Sequence, residues 1–266
     1  MVNLLVAAAL AAASPANAAP ATPVDQPAMF VVHDADTTVY IFGTFHALDG
    51  RSQWLGDRVR NAFEQSDELV LETLVPEGPL PGQFKPAPLS APSVTPSASF
   101  LATTRLAINA GKAQGMQVGN GADMVLRHIA EAEGKPVEGL ETLQLQIDMF
   151  NHLPGNASAA PQPRAGQPVE TTAANGLTKV MGDMQSAWKR GDQSVFVHML
   201  DQLRQASPDT YRMMFTERNG RWADWIRARM QAPGTVFVAV GAGHLAGPDS
   251  LLVQLAERGI PSQRVN

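Results

Sequence analysis

The 266-residue sequence predicts an α/β fold: a largely parallel central sheet flanked by helices and carrying a helical insertion. Three observations lead to it. The first is Val236-Phe-Val-Ala-Val-Gly-Ala-Gly-His244, five consecutive apolar residues running into two glycines and a histidine. This pattern fits a strand buried on both faces, as parallel strands are, with a polar side chain delivered at its C-terminal end. The second is that Val39-Tyr-Ile-Phe-Gly-Thr-Phe-His46 repeats the construction near the start, again as an apolar strand followed by Gly-x-x-His. The third is the alternation of short apolar runs with helical patterns between these two passages.

In chain order, 28–32 and 39–42 flank the turn Asp34-Ala-Asp36 and predict a hairpin leading into the first Gly-x-x-His. Residues 54–65 have helical spacing, with Leu55, Val59 and Phe63 on one face. Residues 68–71 predict a buried strand ending on Glu72. Residues 75–99 hold seven prolines, which exclude a regular helix or central strand and mark an insertion. Helical composition follows over 100–116, and a helix over 123–133 is stopped by Gly134-Lys-Pro136. Residues 137–140 predict a strand ending on Glu141, followed by a helix over 142–152 and a loop rich in Pro, Gly, Ala and Ser over 153–168. Residues 169–230 predict a helical insertion of three segments, broken at Gly191-Asp192 and Ser207-Pro208-Asp209. After the strand at 235–240, a helix over 248–258 is closed by Gly259, and 262–265 predicts an edge strand. The expected organisation is one domain over residues 28–266.

Composition narrows the function. At 44% hydrophobic and 17% charged, the chain has enough apolar residues for a sizeable core. A net charge of −5 argues against nucleic acid as a partner. Cysteine is absent, which removes disulfides and thiolate chemistry and leaves His, Asp and Glu as strong metal ligands. The apolar run at 4–13 followed by Ala16-Asn17-Ala18 has the form of a signal peptide over residues 1–18. Periplasmic or secreted localisation is therefore expected, with no stable membrane insertion.

Ligands of parallel α/β sheets gather at the C-terminal ends of strands. His46, Glu72, Glu141 and His244 each close a strand, and neighbouring strands lie ~4.8 Å apart, so these groups can converge. Two imidazoles, His46 and His244, with one or two carboxylates, Glu72 foremost, make a candidate metal set with a position left open for water. A remaining carboxylate, Glu72 or Glu141, is a candidate general base. On the helix bearing Glu217-Arg218-Asn219, with Trp222 and Trp225 at helical spacing, Arg218 and Asn219 are candidates to reach the strand ends and meet developing negative charge. Each of these also has a structural alternative, as a capping carboxylate, a satisfied core histidine or an exposed helix face.

Taken together, Phe42-Gly-Thr-Phe-His46, Leu69-Val-Leu-Glu72, Gly134-Lys-Pro-Val-Glu-Gly-Leu-Glu-Thr142, Glu217-Arg-Asn219 with Trp222, and Gly241-Ala-Gly-His244 resemble the TraB/GumN family. That family is related to the Tiki metalloproteases and, more distantly, to erythromycin-esterase/ChaN-like proteins. The resemblance implies a site centred on His46, Glu72 and His244, with Glu141, Arg218 and Asn219 in support. It also implies a divalent metal (manganese, cobalt or zinc) and a peptide or small-molecule substrate. The leading expectation is an exported metal-dependent hydrolase of peptide or amide bonds. The alternatives are a metal-free esterase or amidase with a histidine base, and a non-catalytic protein that captures a peptide or haem.

Overall fold

A computed structural model describes residues 25–75, 111–112, 114–151 and 169–265. The expected signal peptide over 1–18, nearly all of the Pro-rich stretch 75–99, most of the 100–116 segment and the stretch 153–168 fall outside the described residues. The fold is α/β, built on a six-stranded, mostly parallel sheet.

The strands are β1 (Met29–His33), β2 (Thr37–Thr44), β3 (Glu68–Thr73), β4 (Val137–Glu141), β5 (Gly234–Gly241) and β6 (Gln263–Arg264). Their spatial order is β4-β3-β5-β2-β1-β6. β1 and β2 form the expected hairpin, whose turn is tied by Asp34 Oδ1 accepting from the backbone N–H groups of Asp36 and Thr37 at 3.2 and 2.9 Å. β2, β5, β3 and β4 are mutually parallel, and β1 and β6 run antiparallel at one edge.

The pairing of β2 with β5 decides the geometry of the site. It runs in register from Thr37↔Gly234 to Thr44↔Gly241, so strands from opposite ends of the chain finish at the same level, side by side. β5 is buried from Val236 onward because side chains alternate between two apolar layers. Phe237 and Ala239 enter one layer with Phe42, Trp54, Phe63 and Trp188. Val236, Val238 and Val240 enter the other with Ile41, Trp222, Ile226 and Leu255.

The helices are α1 (Asp57–Glu64), α2 (Ala122–Glu133), α3 (Leu143–Asn151), α4 (Val169–Lys189), α5 (Ser194–Ala206), α6 (Pro208–Tyr211), α7 (Glu217–Arg229) and α8 (Leu251–Glu257). α2 stops where expected, at Gly134, whose φ of 69° is the left-handed conformation that closes a helix and that glycine adopts at little cost. The third segment of the helical insertion differs from the expectation of one helix. It is α6, then a π-turn over Arg212–Thr216, then α7. Insertions of this kind in a helix concentrate at functional sites, and this one directs Met214 and Phe215 at the ends of the parallel strands. α4 is tied to the same end by Trp188 Nε1, which donates to the Gly43 carbonyl at 2.7 Å.

Candidate functional site

The order β4-β3-β5-β2 sets Glu141, Glu72, His244 and His46 across four adjacent strand ends. Glu141 ends β4 opposite Thr73 of β3, and His244 stands in the short 3₁₀ turn after β5. The first turn of α7 brings Arg218 and Asn219 down onto this row, and Trp222, one turn later, lies beneath them.

Arg218 is the hub. Its Nε donates to both Glu141 oxygens at 3.1 and 3.0 Å, and Nη2 donates to Glu72 Oε2 at 2.9 Å. Nη1 lies 3.2 Å from His244 Nε2, and the guanidinium stands 4.6 Å from the Trp222 ring centre. Glu141 receives two further donors, Trp222 Nε1 and Arg221 Nη2, both at 3.2 Å. Glu141, Arg218, Asn219 and His244 are all buried.

The tautomer of His244 follows from its neighbours. Asn219 Nδ2 donates to the Asp249 carbonyl at 2.7 Å, which leaves Asn219 Oδ1 as the acceptor facing His244 Nδ1, also at 2.7 Å. Nδ1 therefore carries the proton, Nε2 is the acceptor, and Arg218 Nη1 donates to it. Burial between the Phe215 and Trp222 rings, with Arg218 adding to it, outweighs the attraction of Glu72 and lowers the His244 pKa to about 3. His244 is thus a neutral, fully engaged imidazole that positions Arg218.

His46 is different. Its side chain is 58% exposed, so it is open to a reactant, and its Nδ1 lies 3.1 Å from Asp123 Oδ2. Partial loss of solvation pulls its pKa down, but the hydrogen bond and charge of Asp123, with the charge of Glu72, outweigh this and raise it to about 9. Asp123 lies in the first turn of α2, and the approach of that helix depends on Gly121. A Cβ on Gly121 would fall 2.4 Å from the His46 carbonyl oxygen, while the adjacent Ala122 N–H donates to the Phe45 carbonyl at 3.0 Å.

Glu72 completes the row. Oε1 accepts from the Gly241 N–H at 2.5 Å, and Oε2 from Arg218. Burial raises its pKa, but the charges of Arg218 and His46 and the Gly241 N–H outweigh this and hold it below the usual carboxylate range. Gly241 is where the groups meet: the position of an added Cβ lies 3.1 Å from Glu72 Oε1, 3.2 Å from His46 Nε2 and 3.8 Å from His244 Cδ2. A side chain there would occupy the space that these three groups share.

The chain is a member of the TraB/PrgY/gumN family. The family model matches residues 28–81 and 82–264, nearly all of the sequence. No curated protein and no solved structure matches it. The sequence pattern that signals this family therefore folds here into one contiguous array, with His46, Glu72, Glu141, Arg218, Asn219 and His244 joined through Arg218 and the Gly241 turn.

Among the described residues, no group of three or more His, Cys, Asp or Glu is arranged to hold a metal ion. The donor chemistry gives the reason for the set His46, Glu72 and His244. Both His244 nitrogens are engaged, and the Arg218 cation stands against Glu72 and His244, where a divalent ion would need to lie. That set does not fit a metal in this arrangement. Asp123, the partner of His46, was not apparent from sequence. Two residues into a helix, an aspartate reads as a favourable charge at the helix N-terminus.

The strand ends floor a cavity of about 760 Å³. His46, Glu72 and Arg218 line it, with Asp123 beside them, and the described part of its wall comes largely from helices.

Proposed function

We propose that this TraB/PrgY/gumN protein hydrolyses a carbonyl-centred bond, an ester or amide, with His46 as general base and without a metal. One observation carries this reading: His46, alone among the imidazole and carboxylate groups of the array, is both oriented by a carboxylate and open to the cavity. Asp123 accepts the Nδ1–H, so the neutral imidazole has its lone pair on Nε2, beside Glu72 Oε1 and Gly241. This is the orienting logic of a carboxylate–imidazole pair with water as the nucleophile.

In the proposed reaction, a water molecule at His46 Nε2 gives up a proton as its oxygen attacks the carbonyl carbon. The carbonyl oxygen gains the negative charge, and the buried guanidinium of Arg218, which lines the same cavity, stabilises it. Collapse of the intermediate breaks the bond to the leaving oxygen or nitrogen, which takes the proton back from His46. The products are a carboxylic acid and an alcohol or amine. Glu72 and Glu141 hold Arg218 in place, and His244 and Asn219 fix its remaining face.

Hydrolysis of an activated ester or peptide is expected to survive exhaustive dialysis against a chelator. Turnover lost on chelation and restored by manganese, cobalt or zinc would contradict the metal-free reading. Gly241→Ala is expected to lower turnover about tenfold or more, because the methyl group enters the space between His46 Nε2 and Glu72 Oε1. The backbone there already has a negative φ, so the melting temperature should change little. Steady-state kinetics and thermal melts of the variant check both expectations.

A further inference from the structure

We propose that the cavity takes a long, unbranched acyl chain, so that the bond broken is that of a lipophilic acyl ester or amide. This rests on the hydrolase reading above and names its substrate class. Among the described residues, six methionines line the cavity: Met116, Met124, Met181, Met184, Met199 and Met214. They come from five segments of the chain, Met181 and Met184 sharing α4, and none is among the exposed large hydrophobics. Methionine is unbranched and soft, and a wall made of it moulds to a flexible apolar ligand. A volume of about 760 Å³ lies in the upper range for a ligand pocket.

The placement of polar groups separates an acyl chain from a peptide. An extended peptide brings an N–H and a carbonyl with every residue, and each needs a partner when taken out of water. Most of the methionines sit on helices, whose interior backbone groups are bonded within the helix and offer no ladder to a peptide. Away from the strand ends, the polar side chains on the wall among the described residues are Lys112, Arg127 and Gln146, and Arg127 already donates to Glu131 and the Val75 carbonyl. A polymethylene chain asks for no partners.

The other end of the cavity suits a carbonyl. Thr44 and Thr73 line it, and their buried Oγ1 atoms have no hydrogen-bond partner among the described residues. Orphaned buried hydroxyls of this kind are uncommon in folded proteins, and two of them flank the reactive strand ends. The ligand thus has one polar head at His46 and one apolar tail among the methionines.

The test uses the full chain and two readouts. Displacement of a fluorescent fatty acid by octanoate, decanoate and dodecanoate measures binding without turnover. Affinity should rise about fourfold per added methylene, the ratio that corresponds to ~0.8 kcal/mol per buried CH₂. Met184→Gln and Met199→Gln, on different helices, should each weaken dodecanoate binding at least about fivefold. The second readout is kcat/KM across p-nitrophenyl esters from acetate to dodecanoate, which should climb with chain length.

Affinity independent of chain length, or an apolar octapeptide that displaces the probe more tightly than dodecanoate, would overturn the inference. Hydrolysis of short esters with no chain-length trend overturns it too and leaves the hydrolase reading standing. Chain-length-dependent binding with no hydrolysis of any ester supports the acyl occupant and sinks the hydrolase reading instead.

Discussion

His46→Ala is expected to lower kcat/KM by about 10²–10⁴-fold, the usual contribution of a positioned general base, with the fold intact. The side chain is more than half exposed, so its loss leaves no buried cavity. A variant that binds ligand like the wild type but no longer turns it over would separate a hydrolase from a protein that only captures its ligand. The pH profile carries the finer test. General-base catalysis needs the neutral imidazole, and the His46 pKa is raised to about 9 by Asp123 and Glu72. Below that value the protonated form dominates, so kcat/KM should rise about tenfold per pH unit from neutrality and level off near pH 9. Asp123→Asn removes the charge that holds the proton, and the rising limb should then move down toward the ordinary histidine value near 6.5. A limb that stays in place in Asp123→Asn would remove Asp123 from the mechanism.

Arg218→Met should have the largest effect on stability. The guanidinium is buried and compensates two carboxylates at once, Glu72 at 2.9 Å and Glu141 at 3.0 Å. Removing one partner of a buried ion pair leaves an uncompensated charge and typically costs about 3–5 kcal/mol. Glu141 keeps Arg221 and Trp222 as donors, whereas Glu72 keeps only the Gly241 N–H among the described residues, so the loss falls mainly on Glu72. Denaturant melts should show a fall in this range, and the Glu72 pKa should rise, since its folded value is held down by Arg218. For such a lowered carboxyl the sign is fixed: its stabilisation is present above the unfolded-state pKa and is lost as pH falls through the folded-state value. The acid limb of unfolding should therefore move to higher pH in the variant. An Arg218→Met protein as stable as wild type, with an unchanged acid limb, would show that the array is not coupled as described.

Much of the fold was legible because β5 and β2 announce themselves. Continuous apolar runs ending in Gly-x-x-His admit few readings other than buried parallel strands, and their matched endings pointed to a shared site; that the two strands pair directly and in register, Thr44 with Gly241, is added by the structure. The convergence of Glu72 and Glu141 with the two histidines was legible for the same reason, since each closes a strand. The inequality between the histidines was not. Both stand at the end of Gly-x-x-His, but the state of His244 depends on the orientation of the Asn219 amide, and that is set by a carbonyl 30 residues away, at Asp249. The Asp123 partner was hidden because its reach depends on how closely Gly121 lets one backbone approach another. The π-turn at Arg212–Thr216 was hidden because one extra residue in a helix leaves its composition unchanged. The methionine wall was hidden because its members are scattered from 116 to 214, and Met181 and Met184, three apart, read as ordinary core spacing.

The division of labour between the two imidazoles is the centre of the account, and a histidine-resolved NMR titration measures it directly. His46 is expected to bind its proton with a pKa well above 7, near 9, and His244 to stay neutral, with its proton on Nδ1, from pH 9 down to the onset of acid unfolding. Both rings titrating together near the ordinary value of 6.5, or His244 carrying its proton on Nε2, would contradict it.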